Sequence, residues 1–208
     1  MKKIWDISPP VDSQSPVFPG DTAYRQEWVA TLSNDCPVNV SAIHLSPHVG
    51  AHADAPLHYD PQGAAVGALD VSVFLGHCRV IHALTAGPLV LPVHLQHALR
   101  DLPERVLVRT CHQFPLTQFD TRLTALHPST VQHLAELGVK LIGIDSASID
   151  PADSKSLPSH QVIRQCGLRV LENLLLDDVP EGDYELIALP LKLMTADASP
   201  VRAVLRDL

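Results

Sequence analysis

The chain has 208 residues, 46% of them hydrophobic and 18% charged, with a formal net charge of −8. That balance excludes a disordered chain, which would be poor in apolar residues and rich in charge. With 15 Lys and Arg against 23 Asp and Glu and no basic run, it also excludes a nucleic-acid partner. The length predicts one domain over residues 1–208. Lys2 and Lys3 are followed by Asp6, Pro9 and Pro10 before any apolar stretch forms, so no signal peptide is expected. The longest apolar run, near residues 186–191, is far short of the roughly 20 residues that cross a bilayer. No membrane partner is expected, and the cytoplasm is the default location. Four widely spaced cysteines, Cys36, Cys78, Cys111 and Cys166, lack C-x-x-C spacing and read as small apolar residues.

In chain order, residues 4–7 predict a strand, and the Pro-rich residues 8–19 an extended loop. Further strands are expected at 38–45 and 79–84, a helix near 93–102, and a strand at 105–109. Pro128 opens a helix in which Val131, Leu134 and Ala135 keep helical spacing and Gly138 stops the run. A strand at 140–144 follows, then a Ser/Pro-bearing loop at 157–161 with His160, then a second helix over 168–176 after Gly167. Strands at 184–189 and 200–205 complete the list. Strands first, then helices interleaved with strands, predict a mixed α/β fold rather than a doubly wound one.

Histidine is the compositional outlier, with 12 residues. Between Ile43 and His58 the odd positions are all apolar. The even ones hold His44, His48, His52, Asp54 and His58. Period two is the mark of an extended backbone, so the imidazoles and the carboxylate should leave it on one side. A straight strand would put His48 about 20 Å from Asp54. A bend at Gly50 is therefore expected to fold the two together. Imidazole and carboxylate are the ligands of catalytic zinc, manganese or iron, which makes His48, His52 and Asp54 candidate ligands; the competing reading is a solvated polar face. His44 is expected on the same face or bonded to a ligand. On the expected helix over 168–176, Glu172 falls within the apolar arc of Leu168, Leu171, Leu175 and Leu176. It either reaches inward to a cation or snorkels to water from the edge of the stripe. His160 is its nearest partner in sequence. His52-x-Asp54 with His160 also imitates the facial triad of iron(II) oxygenases. Ser146 and Ser148 lack a nucleophile elbow and read as loop residues. Asp177 and Asp178 read as a solvated helix end, and the remaining histidines as surface or satisfied groups.

The run from His48 through Gly50, His52, Asp54 and Pro56 to His58 resembles the H-x-G-T-H-x-D-x-P-x-H signature of the cyclase family of metal-dependent amide hydrolases, and within it the bacterial formamidase branch. Phe18-Pro19-Gly20-Asp21 resembles the family's N-terminal element. Residues 143–150 resemble its central segment, and residues 189–192 and 198–202 its C-terminal one. The resemblance implies a swivelling β/β/α fold and a homodimer. It implies two zinc ions per subunit, or other divalent metals, one held by His48, His52 and Asp54 and the other by Asp54, His160 and Glu172. It assigns His58 as general acid/base and Phe18 as an aromatic against the substrate ring. The implied reaction is hydrolysis of N-formyl-L-kynurenine to L-kynurenine and formate. A cyclic amide such as isatin is the rival substrate. Ala51 stands where the wider family often has Thr, and Phe18 where close relatives usually have Trp, which reduces stacking area but removes no ligand.

Overall fold

The computed structural model describes residues 2–208. Its strands are β1 (Ile4–Asp6), β2 (Arg25–Ala30), β3 (Val40–His44), β4 (His52–Asp54), β5 (Leu75–His82), β6 (Leu89–Val90), β7 (Arg105–Arg109), β8 (Ala125–Leu126), β9 (Leu141–Ile144), β10 (Arg169–Glu172), β11 (Gly182–Ile187), β12 (Ala198–Pro200) and β13 (Val204–Arg206). The α-helices are α1 (Pro128–Glu136) and α2 (Pro158–Cys166). Nine strands form one sheet in the order β1-β13-β11-β5-β7-β9-β10-β4-β12. Its centre, β5-β7-β9-β10, is parallel, and every other neighbouring pair in it is antiparallel.

The parallel strands are apolar on both faces, as buried parallel sheets require. Ile81, Val106, Val108, Ile142, Ile144 and Val170 pack with Val131 and Leu134 of α1 and Ile163 of α2. The alternate residues Val80, Leu107, Leu141 and Leu171 pack with Ile7, Phe74, Leu174, Leu186 and Leu205 on the opposite face. Gly143 lies on that second face. A Cβ there would collide with Leu107 and come within 2.8 Å of Leu174 Cδ1, so glycine lets those leucines close over β9. The mixed α/β architecture is the expected one.

Four element assignments change. The strand expected at 200–205 is replaced by two, β12 and β13, which lie toward opposite ends of the sheet. Residues 168–176 form no helix: β10 covers Arg169–Glu172, and Asn173, with φ of 56°, turns the chain. A short run buried on both faces carries no period, and its leucines mimic a helical stripe. Gly167, in the left-handed region at φ 67°, closes α2 instead of opening a new helix. His160 accordingly sits in α2 and not in a loop. Between residues 92 and 98 the chain makes two 3₁₀ turns, Pro92–His94 and Gln96–Ala98, in place of a helix; Asp101, at φ 51°, ends the segment before a longer helix could repay its nucleation. Asp177 is no solvated helix end, since its carboxylate accepts the Phe114 backbone N–H at 3.0 Å. The pair β2–β3, of which only β3 falls within an expected strand, stands apart from the main sheet as its own hairpin.

Candidate active site

β4 lies between β10 and β12, and that register builds the site. Residues two apart on a strand share a face, so His52 and Asp54 point the same way while Ala51, Ala53 and Ala55 are buried behind them. Glu172 pairs with His52 across β10–β4, and Ala198 with Asp54 across β12–β4. The alternation expected over 43–58 holds only here. β3 ends at His44 and the chain turns before β4. Gly50 takes φ 71°, and a Cβ on it would lie 2.6 Å from Val11 Cγ2. The expected bend is present and brings His48 Nδ1 to 3.2 Å from Asp54 Oδ1. His44 corrects the expectation: it is exposed at the end of the hairpin, opposite Arg25, away from these residues because its strand belongs to the separate sheet.

The buried groups converge closely. His52 Nε2 lies 3.4 Å from both Asp54 Oδ1 and Glu172 Oε2. His160 Nε2 lies 3.4 Å from Asp54 Oδ2 and 3.5 Å from Glu172 Oε1. Asp54 therefore faces His48 and His52 with one oxygen and His160 with the other. His52, Asp54, His160 and Glu172 are each at most 3% exposed. Glu172 thus points inward; the snorkelling alternative is set aside.

The outer nitrogens are pinned. The Gly50 carbonyl accepts from His52 Nδ1–H at 2.9 Å. Asp150 accepts from His160 Nδ1–H at 2.7 Å, and from the Ser159 and His160 backbone N–H groups at 2.9 and 3.0 Å. One buried carboxylate thus caps α2 and orients its histidine. These bonds assign the proton to Nδ1 and leave both Nε2 atoms facing the carboxylates. The Ile149 N–H holds Glu172 Oε1 at 2.8 Å.

Yet His52 Nε2, both Asp54 oxygens and His160 Nε2 are buried without a hydrogen-bond partner. Buried polar atoms left unpaired are costly, and these are all potential ligand atoms. Their spacing fits a cation, since four ligands about 2.1 Å from a tetrahedral ion stand about 3.4 Å apart. Among the described residues, three groups are close enough to hold an ion. Two include these orphaned atoms, His48, His52 and Asp54, and Asp54, His160 and Glu172, whereas the third, His48, His58 and Asp197, includes none of them and is not fully buried. The electrostatics agree. Burial alone would depress His52, but the Asp54 and Glu172 carboxylates outweigh it and push its pKa up to about 10. The same opposition of burial and carboxylates raises His160. Burial works to raise Asp54, yet the surrounding imidazoles hold it well below the carboxylate range. Carboxylates that favour the charged form of an imidazole favour a cation in the same place.

A cleft of about 610 Å³ opens beside this cluster, lined by His48, His58, His160 and Glu172 together with Phe18 and Phe119. The two phenylalanine rings meet edge to face with centroids 5.0 Å apart. Phe119 was not singled out from sequence, because no local pattern marks it. By resemblance alone, the segment 197–202, which starts at Asp197, is expected to shape the pocket or the subunit contact. The Oδ2 of Asp197 lies 3.0 Å from His48 Nε2 and 3.2 Å from His58 Nδ1. Ser146 and Ser148 are no nucleophiles: the former donates to the Thr124 carbonyl, and the latter accepts from the Asp150 N–H.

Residues 5–151 match the family model described as putative cyclase. The chain belongs to the cyclase family. It is 69% identical over 207 residues to a protein named kynurenine formamidase from Delftia acidovorans, with 100% of this chain and 99% of that one covered. A solved cyclase-family structure described as a potential metal-dependent hydrolase with cyclase activity superposes with a TM-score of 0.86 at 27% identity, covering 100% of this chain and 99% of that one. Isatin hydrolase A from Labrenzia aggregata shares the fold, with a TM-score of 0.81, at 22% identity over 99% of this chain and 94% of its own.

Proposed function

We propose that this cyclase-family chain, acting as one domain, is an arylformamidase that hydrolyses N-formyl-L-kynurenine to L-kynurenine and formate. The observation that carries the reading is the pair of buried ligand sets sharing Asp54 beside an aromatic-walled cleft. The relative from Delftia acidovorans, by its name, supports the linear formamide over the cyclic amide. His48, His52 and Asp54 would hold one zinc ion, and Asp54, His160 and Glu172 a second. When bound, such ions acidify a water and polarise the scissile carbonyl. An oxygenase triad would leave His48 and Glu172 without work, although both sit in the cluster.

Within the cleft, Phe18 and Phe119 offer their rings to the aryl group of the substrate. His58 engages Asp197 through Nδ1, which reserves Nε2 for proton transfer. It takes a proton from the attacking water and returns it to the anilide nitrogen as the C–N bond breaks, so amine and formate leave balanced.

We read the assembly as a homodimer. No residue of β2 or β3 is buried, and Trp28, Val29, Val40 and Ile43 are 45–67% exposed. A lone hairpin is marginal in water, and apolar surface of this kind calls for a partner surface, here that of a second copy. No helix among the described residues is long and apolar enough to cross a membrane. All four cysteines are free, as suits the reducing cytoplasm. The test is conversion of N-formylkynurenine by purified protein, before and after chelation and zinc add-back. Chelator-sensitive, zinc-restored turnover is expected; its absence from zinc-loaded protein overturns the substrate assignment.

A further inference from the structure

Asp197 ends the loop entering β12. Its backbone carbonyl accepts the Ala55 N–H at 2.8 Å, and the preceding carbonyl, of Ala196, accepts the Val66 N–H at 3.0 Å. Together with the β12–β4 pairing, these bonds lock the loop against the strand that carries Asp54. The side chain then reaches two histidines of different origin, His48 from the turn before β4 and His58 from the 3₁₀ turn Pro56–His58. Both rings meet the same oxygen, at 3.0 and 3.2 Å, with ring centroids 4.3 Å apart. A single carboxylate oxygen has lone pairs for two N–H donors.

We propose that Asp197 is a positioning residue that sets two functions at once. It takes the Nε2–H of His48, leaving Nδ1 for the ion shared with Asp54, and the Nδ1–H of His58, leaving Nε2 for proton transfer. A carboxylate behind a ligating imidazole fixes its tautomer and ring angle. The same contact on His58 selects the nitrogen that faces substrate. Metal hold and proton delivery are thereby tied to one side chain that acts through two imidazoles. The part played by His58 rests on the hydrolase reading; the grip on the two rings does not.

Asp197→Ala and Asp197→Asn test this in the zinc-loaded protein. The loop is held by backbone bonds, so both variants should fold. Expected for Asp197→Ala are an unchanged zinc stoichiometry, a 10- to 100-fold weaker affinity in chelator competition, and a ¹⁵N spectrum in which the His58 ring loses its uniform Nδ1–H form. Turnover of N-formylkynurenine should fall about 10- to 100-fold in kcat with KM little changed. In a His58→Ala background the same substitution should cost kcat little more. Asp197→Asn, whose amide oxygen accepts the same two bonds, should recover most of each effect. Wild-type affinity together with an unaltered His58 spectrum in Asp197→Ala overturns the proposal. So does loss of one whole zinc equivalent, which would make Asp197 a ligand. If the wild-type protein fails to turn over the substrate, the hydrolase reading falls, while affinity and ¹⁵N spectrum still decide the role of Asp197.

Discussion

Asp54 is the only residue common to the two ligand sets proposed for zinc, with one oxygen directed to each. Asp54→Asn replaces one of those oxygens by an amide nitrogen that does not ligate. Zinc analysis of the purified variant should show both equivalents reduced together; retention of two full equivalents would reject the bridge. His58→Ala makes the opposite separation, with zinc content unchanged and kcat lower by roughly 10²- to 10⁴-fold, read from steady-state kinetics. Three of these candidate ligands, His48, His52 and Asp54, were legible because they fall in one dense motif, and Glu172 because it contradicts the leucines around it; His160 was assigned only through the family resemblance. Asp150, Asp197 and Phe119 were not legible as partners. Asp197 and Phe119 act on residues far away in the chain, such as His58 across 139 positions from Asp197, and Asp150 holds the start of a helix from outside it; no local spacing records either.

The elements show the same division. β7 matches its expected bounds and α1 its expected start, since both carry local signals: a Val-rich run, and Pro128 followed by helical spacing. α2 was missed because its cap is the side chain of Asp150, outside the segment, where Leu157 itself supplies no cap. β10 was misread because a strand buried on both faces has no polar side to mark its period. Where β9 packs on Leu107 and Leu174, Gly143→Ala should destabilise by about 1 to 3 kcal/mol through overpacking, seen as a lower Tm with zinc stoichiometry retained. At the hairpin, charge on the apolar face should separate the protomers: Trp28→Lys combined with Ile43→Lys should sediment as a folded monomer in analytical ultracentrifugation, and an unshifted dimer would place the interface elsewhere.

At the level of the whole molecule, the candidate centre joins a turn, two strands and a helix that the chain order keeps far apart. A ligand that binds the folded but not the unfolded chain adds about 2.7 kcal/mol when present at a hundredfold excess over its Kd. Chelation should therefore lower Tm by about 5 to 10 °C in scanning calorimetry, with zinc restoring it. A midpoint indifferent to chelator would mean that the cluster holds no ion.

The placement of β4 has a consequence for how the protein is made. β4 emerges from the ribosome early, but its two neighbours, β10 and β12, are translated only after β5, β7 and β9 have been laid down. Throughout that interval β4 presents two open edges, and open edges recruit other strands. The nascent chain must keep the motif that will become its centre solvated and unpaired until the C-terminal third arrives.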